Sequence, residues 1–203
     1  NEARLIAVIG ATGSGKGVYI KTELIKKSDR RLLIWDFMRE YGPLVDKTTA
    51  SIAELVKSLK AKTFKVAFTP SHDDKLRAAQ FDLFCRAAYA AGKCKMVIEE
   101  LSFVTKPTSA PAGWRKVSCT GRHVGLEIIG VSQRPAQVDK DFFGNCSEIH
   151  CGFLNYLADI KTMANVLGVA NSDISGLEPL QYIHKHVRTK KIYTGIVKIP
   201  GKS

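Results

Sequence analysis

The chain has 203 residues, 45% of them hydrophobic, and a formal net charge of +12. That is enough apolar material for one domain with a full core over residues 1–203, and with no apolar run near the ~18 residues of a membrane span and no signal-peptide pattern, a spanning or secreted protein is disfavoured and a soluble, intracellular one expected. The cationic excess points to a polyanionic partner, nucleic acid first, although the lysines are spread along the chain and a merely solvated basic surface is the alternative.

Residues 5–9, Leu-Ile-Ala-Val-Ile, are a continuous apolar run that predicts a buried strand. It leads into Gly10-Ala11-Thr12-Gly13-Ser14-Gly15-Lys16-Gly17, after which an amphipathic stretch begins at Val18 and continues to Lys27. Glycines at these spacings let successive backbone N–H groups turn onto phosphate oxygens, and the lysine reaches the β and γ phosphates, so strand, loop and helix together predict an ATP-binding phosphate loop. The pattern alone is common; its context between strand and helix gives it weight. After the lysine, Ser or Thr normally supplies a hydroxyl to Mg2+, and here the residue is Gly17. A water, Ser14 or the acidic pair described next is expected to fill that place.

Further short apolar runs at 32–35, 64–68, 95–98 and 126–131 predict four more parallel strands. Between them, 51–59 opens with Ser51 and Glu54 at capping-box spacing, and 74–91 carries Leu76, Ala79, Leu83, Phe84 and Ala87 on one expected face. The run at 95–98 ends in Glu99-Glu100. At the C-terminal end of a buried strand these carboxylates are placed where α/β sheets hold ligands: Glu99 to hold Mg2+, Glu100 to orient or deprotonate water. The bland alternative is a solvated acidic pair. Residues 105–113, with two prolines and small side chains, predict a flexible loop, and 134–145 a second one in which Phe142 and Phe143 pack locally. Gln133 follows the 126–131 strand and would stand beside the γ phosphate. An amphipathic helix over 156–167 closes at Gly168, and segments 181–187 and 191–199 flank the basic turn Arg188-Thr189-Lys190 as a terminal hairpin. The alternation is that of an α/β P-loop NTPase, a mainly parallel sheet flanked by helices with a C-terminal β-hairpin. Cys85, Cys94, Cys119, Cys146 and Cys151 show no C-x-x-C pair and suit reduced, buried thiols better than a zinc site drawn with His150, His184 and His186.

Gly121-Arg122-His-Val-Gly125 followed by a strand ending Ser132-Gln133-Arg134-Pro135, together with Trp35-Asp36 and Glu40-Tyr41, strongly resembles the FtsK/HerA superfamily of ring-forming DNA-pumping ATPases. The likeness covers about residues 5 to 187 and rests on four motifs in one order. It implies that Arg122 enters a neighbouring subunit's site, with Arg134 and Arg115 as competing candidates for that finger, and with helix capping or a pair with Glu127 as its local alternative. The lack of membrane spans and winged-helix modules makes the chain look most like genome-packaging ATPases of tailless icosahedral viruses with an internal membrane. That resemblance implies a ring, expected to be a hexamer, acting on double-stranded DNA in host cytoplasm and at a virion's capsid vertex, beside capsid or viral membrane proteins. Lys106, Arg115, Lys116 and Lys140 are the expected DNA-gripping side chains, against the default of solvated surface lysines. Filamentous-phage assembly or plasmid and chromosome transfer ATPases are the neighbouring alternative. A small-molecule P-loop kinase and a nucleotide-gated DNA-binding or membrane-docking module without turnover are the rivals from other classes.

Overall fold

A computed structural model describes residues 3–201. Its strands are β1 (Leu5–Ile9), β2 (Arg31–Trp35), β3 (Lys47–Thr49), β4 (Phe64–Phe68), β5 (Lys95–Ile98), β6 (Glu127–Ser132), β7 (Glu148–Gly152), β8 (Gln181–His186) and β9 (Lys191–Ile196). They form one sheet in the order β3-β4-β2-β5-β6-β1-β7-β8-β9. The strands from β3 to β7 pair in parallel, and β8 and β9 extend that edge as an antiparallel hairpin.

Every residue of β1 is buried because the sheet is covered on both faces. Leu5, Ala7 and Ile9 join a large core with Trp35, Phe68, Phe81, Phe84, Trp114 and Phe142, whereas Ile6 and Val8 join a smaller one with Ile20, Leu32, Ile34, Val97 and Ile129. Trp35 meets Phe81 and Phe84 edge-on at centroid separations of 5.0 and 5.2 Å. Burial of each such side chain contributes about 1.5–3 kcal/mol.

The helices are α1 (Lys16–Tyr19), α2 (Ile52–Leu59), α3 (Asp74–Ala91), α4 (Ala112–Thr120), α5 (Lys140–Asn145), α6 (Leu157–Leu167) and α7 (Asn171–Ser175). The stretch expected as one helix from Val18 to Lys27 is instead α1 followed by a π-helical turn over Ile20–Leu24. Half of the expected capping box forms at α2. Ser51 accepts from the Glu54 N–H, while the Glu54 carboxylate accepts from the Thr49 hydroxyl at 2.8 Å.

On α3 the expected apolar face is rotated. Arg77, Phe81, Phe84, Cys85 and Ala88 are buried, and Leu76 and Leu83 are 51% and 48% exposed, so of the named residues Phe84 alone is fully inside. The two segments read as loops carry more structure than expected. Residues 105–113 contain a Lys106–Ser109 bridge and the start of α4, and 134–145 contain a 3-10 turn at Pro135–Gln137 and α5. Phe142 and Phe143 are buried, with Phe142 5.6 Å from Trp114. The helix before Gly168 forms, and Gly168 takes φ +73 as a left-handed stop. Cys85, Cys94, Cys146 and Cys151 are buried free thiols, and Cys119 is exposed.

Candidate active site

The loop between β1 and α1 occupies the C-terminal end of the parallel sheet, where Gly13 and Gly15 adopt φ +84 and +88, conformations that L side chains resist. Lys16 donates from Nζ to the carbonyls of Gly10 and Ala11 at 2.6 and 2.9 Å. Two of its three donors are thus used in spanning the loop, and one remains for an anion in the mouth. Burial lowers its pKa, opposed by the charges of Glu100, Glu99 and Glu40.

These elements line a cleft of about 380 Å³ that also includes Thr12, Gly17, Lys21, Glu40 and Gln133. Its volume is within the range of small-molecule sites. Gln133 links the two sides. Its Nε2 donates to Glu100 at 2.7 Å, and its Oε1 accepts from the Thr12 hydroxyl at 2.8 Å. The Glu100 backbone is left-handed at φ 50, a conformation costing a non-glycine residue about 1–2 kcal/mol, so the turn after β5 stores strain to aim this carboxylate. Neighbouring Glu99 accepts from the Met38 N–H at 3.2 Å. Burial, and behind it the charges of Asp36, Glu40 and Glu100, push its pKa up to about 7 against that hydrogen bond.

The Asp36 carboxylate accepts from the N–H groups of Glu40 and Tyr41 at 2.8 and 3.1 Å, which fixes the turn after β2. A Cβ at Gly17 would lie 3.9 Å from Glu40 Oε2. Glu40 therefore faces the place where a hydroxyl would stand if residue 17 were Ser or Thr. Sequence reasoning quoted Glu40 without a chemical role; the missing hydroxyl at 17 was the signal for it.

Ser14 does not fill that place. It is 1% exposed and turned toward β7, with its Oγ 2.4 Å from where a Cβ at Gly10 would lie and its Cβ 2.8 Å from one at Gly152. With Lys16 among several carboxylates, the donor set suits a divalent cation held through Glu99 and Glu40.

The remaining candidates are distributed around the fold. Arg122 is exposed in the turn before β6, at the N-terminal edge of the sheet and therefore at the opposite end from Lys16. The suggested Glu127 pair does not form: Glu127 is bound by Arg4 at 2.6 Å and Lys95 at 3.5 Å. Arg134 is held in its own subunit by Asp159 at 2.7 Å and by the Tyr156 ring at 4.1 Å. Lys106 and Lys140 are exposed, and each adjoins one partner of a hydrogen bond from the Asp139 N–H to the Thr105 hydroxyl. Arg115 and Lys116 lie on α4, where the Lys116 ammonium stands over the Tyr89 ring at 4.3 Å.

No family model matches the sequence. The chain is 30% identical over 175 residues to Protein P9 of Pseudoalteromonas phage PM2, covering 84% of this chain and 78% of P9. Its fold is similar to the genome packaging NTPase B204 of Sulfolobus turreted icosahedral virus 2 in complex with AMPPCP, with TM-score 0.80 and 16% identity over 98% of this chain and 100% of that one. It is also similar to the N-terminal domain of zonular occludens toxin from Neisseria meningitidis, with TM-score 0.55 and 14% identity over 100% and 97% of the two chains.

Proposed function

This chain belongs to one family with Protein P9 of phage PM2, and we propose that it is a P-loop ATPase of the FtsK/HerA superfamily that hydrolyses ATP to drive double-stranded DNA into a viral capsid. The observation that carries the reading is the hydrogen-bonded chain from Thr12 through Gln133 to Glu100, which joins the phosphate loop to a strained carboxylate. The packaging role is supported by the likeness to B204, whose own description is a genome packaging NTPase.

The third donor of Lys16 and the N–H groups of residues 13–18 bind the phosphates. Glu100 accepts a proton from water, and Gln133 keeps that carboxylate in line while sensing the γ phosphate through Thr12. Glu99 and Glu40 would hold Mg2+, which would supply charge neutralisation to the bound triphosphate. Lys106 and Lys140, with Arg115 and Lys116 as weaker candidates, contact DNA phosphates without reading bases, as a pump that must pass every sequence requires. Arg122 acts in the site of an adjoining copy in a ring at the capsid vertex.

Steady-state phosphate release by the wild type, Lys16→Ala and Glu100→Gln, with and without double-stranded DNA, tests the reading. Hydrolysis that DNA stimulates and both variants abolish is expected. Phosphate transfer to a small acceptor, or turnover indifferent to DNA, would overturn it.

A further inference from the structure

The sheet edge beyond β1 holds a cluster that ATP chemistry does not use. Glu148 on β7 is the cross-strand partner of His186 on β8, and His184, two residues earlier, projects from the same face. One ligand atom from each of the three side chains lies within 4.8 Å of the others. Glu148 and His184 are buried, and His186 is half-buried.

We propose that Glu148, His184 and His186 bind a divalent transition-metal ion, Zn2+ foremost, which clips β8 to β7. Two imidazoles and one carboxylate are a donor set that favours Zn2+ and its neighbours over Mg2+ or Ca2+, which take oxygen ligands.

The local geometry favours an ion over a simple hydrogen-bonded cluster. Glu148 Oε1 accepts from Arg4 at 2.8 Å, which orients the carboxylate and leaves Oε2 facing the histidines. Oε2 is 3.6 Å from His184 Nε2, too long for a good hydrogen bond, and the His184 and His186 rings are 4.9 Å apart at 66°. Among the described residues no hydrogen bond joins these three side chains. An ion at the centre satisfies all of them with small rotations.

His150, opposite His184, is stacked at 3.8 Å on Tyr19 and 4.4 Å from Tyr182, so it walls the site without being one of its ligands. His186 is half-buried, so a fourth ligand would reach the ion from the solvent side. The ion has a structural task. Glu148 pairs with Ile6 near the start of β1, whereas the phosphate loop leaves β1 after Ile9 at the other end. The hairpin that the ion fixes also backs that loop: side-chain atoms of Leu180 and Val197 lie 3.1 Å from where a Cβ at Gly15 would be.

The test is calorimetric titration of the chelator-stripped chain with Zn2+, and with Co2+ for its ligand-field absorption bands. It is run on the wild type, Glu148→Gln, His186→Ala and the His184→Ala/His186→Ala double variant. Exposed Cys119 is a competing soft ligand, so each protein is measured with and without Cys119→Ser. One equivalent of Zn2+ is expected for the parent, with tetrahedral Co2+ bands, a rise in Tm on binding, and at least a tenfold loss of affinity in each ligand variant. Far-UV circular dichroism and nucleotide binding without added metal check that each variant folds. Should the double variant fail that check, half-buried His186→Ala and Glu148→Gln decide the matter. Absence of stoichiometric binding, affinity unchanged in the folded ligand variants, or binding that disappears with Cys119→Ser would each overturn the assignment.

Discussion

At the scale of single residues the most informative position is Gly17. It offers no hydroxyl to a cation, and Glu40 Oε2, 3.9 Å from where its Cβ would be, is the group facing that gap. If Glu40 replaces the hydroxyl, Glu40→Gln should raise the Mg2+ concentration for half-maximal nucleotide binding about tenfold, and Gly17→Thr in the same chain should recover most of that loss. Titration of a fluorescent ATP analogue with Mg2+ reads both variants. Failure of the threonine to compensate would assign Glu40 to orienting Lys21, which it contacts at 3.5 Å, instead. The thiols give a second expectation. Burial pushes Cys94 and Cys151 up to about 12 and holds Cys85 and Cys146 well above the usual thiol range, so at pH 8 none of these four presents appreciable thiolate. Exposed Cys119 should therefore be the one cysteine that iodoacetamide labels in the native protein, with the other four appearing after denaturation, a count that mass spectrometry reads directly.

Among elements, β6 shows how closely the helices are packed on the sheet. A Cβ at Gly130 would approach Phe142 Cζ at 2.5 Å and Leu101 Cδ1 at 2.6 Å. Gly130→Val should therefore destabilise by about 1–3 kcal/mol, seen as a fall of roughly 3–10 °C in Tm. Gly144→Ala on α5, where nothing lies within 4 Å, should be neutral or slightly stabilising in the same measurement. The same packing explains which elements were legible beforehand. Strands β1, β2, β4, β5 and β6 are continuous apolar runs, and a sheet covered on both faces requires that pattern. β7 escaped because Glu148 and His150, polar in sequence, are buried in an ion pair with Arg4 and a stack on Tyr19 that distant residues supply. β3 escaped because three residues at a sheet edge carry no periodicity. The face of α3 was misjudged for a related reason: Trp35 draws Phe81 and Phe84 inward, with Phe81 also against Trp114, which turns Leu76 and Leu83 outward, and Arg77 covers Phe37 and Phe103 with its guanidinium. Within the site, Lys16 could be named from the glycine-rich loop, and Glu99, Glu100 and Gln133 from the ends of their strands. Glu40 could not be given a role, since its approach to Gly17 depends on how Asp36 folds the turn after β2.

For the molecule as a whole, the sheet separates two ends that a working pump would have to reunite across copies. Lys16 and Glu100 lie at the C-terminal edge, and Arg122 precedes β6 at the other, a strand length of roughly 17 Å away for five or six residues. An arginine side chain cannot span that distance, so if Arg122 acts on hydrolysis it must do so in a neighbouring copy's site. Head-to-tail association would supply such a neighbour, because a heterologous interface sets unlike faces of successive protomers together and forms a ring when the rotation between them closes. DNA would pass such a ring against loops from the C-terminal side, where Lys106 and Lys140 flank the Thr105–Asp139 hydrogen bond. Reversing both charges should abolish DNA stimulation, leave basal hydrolysis intact, and flatten the salt dependence of DNA binding by about two units of slope. The sharing of sites has its own signature. Arg122→Ala and Glu100→Gln proteins should each be inactive alone, because one lacks the finger and the other the carboxylate. Mixed in equal parts and allowed to exchange, about a quarter of interfaces would combine an intact Glu100 with an intact Arg122 from the adjoining copy, and hydrolysis should recover to about that fraction of the wild-type rate. If Arg122 merely caps its own turn, the mixture stays silent and the loss in Arg122→Ala appears as a lowered Tm, so phosphate release and thermal unfolding on the same samples separate a finger from a structural residue.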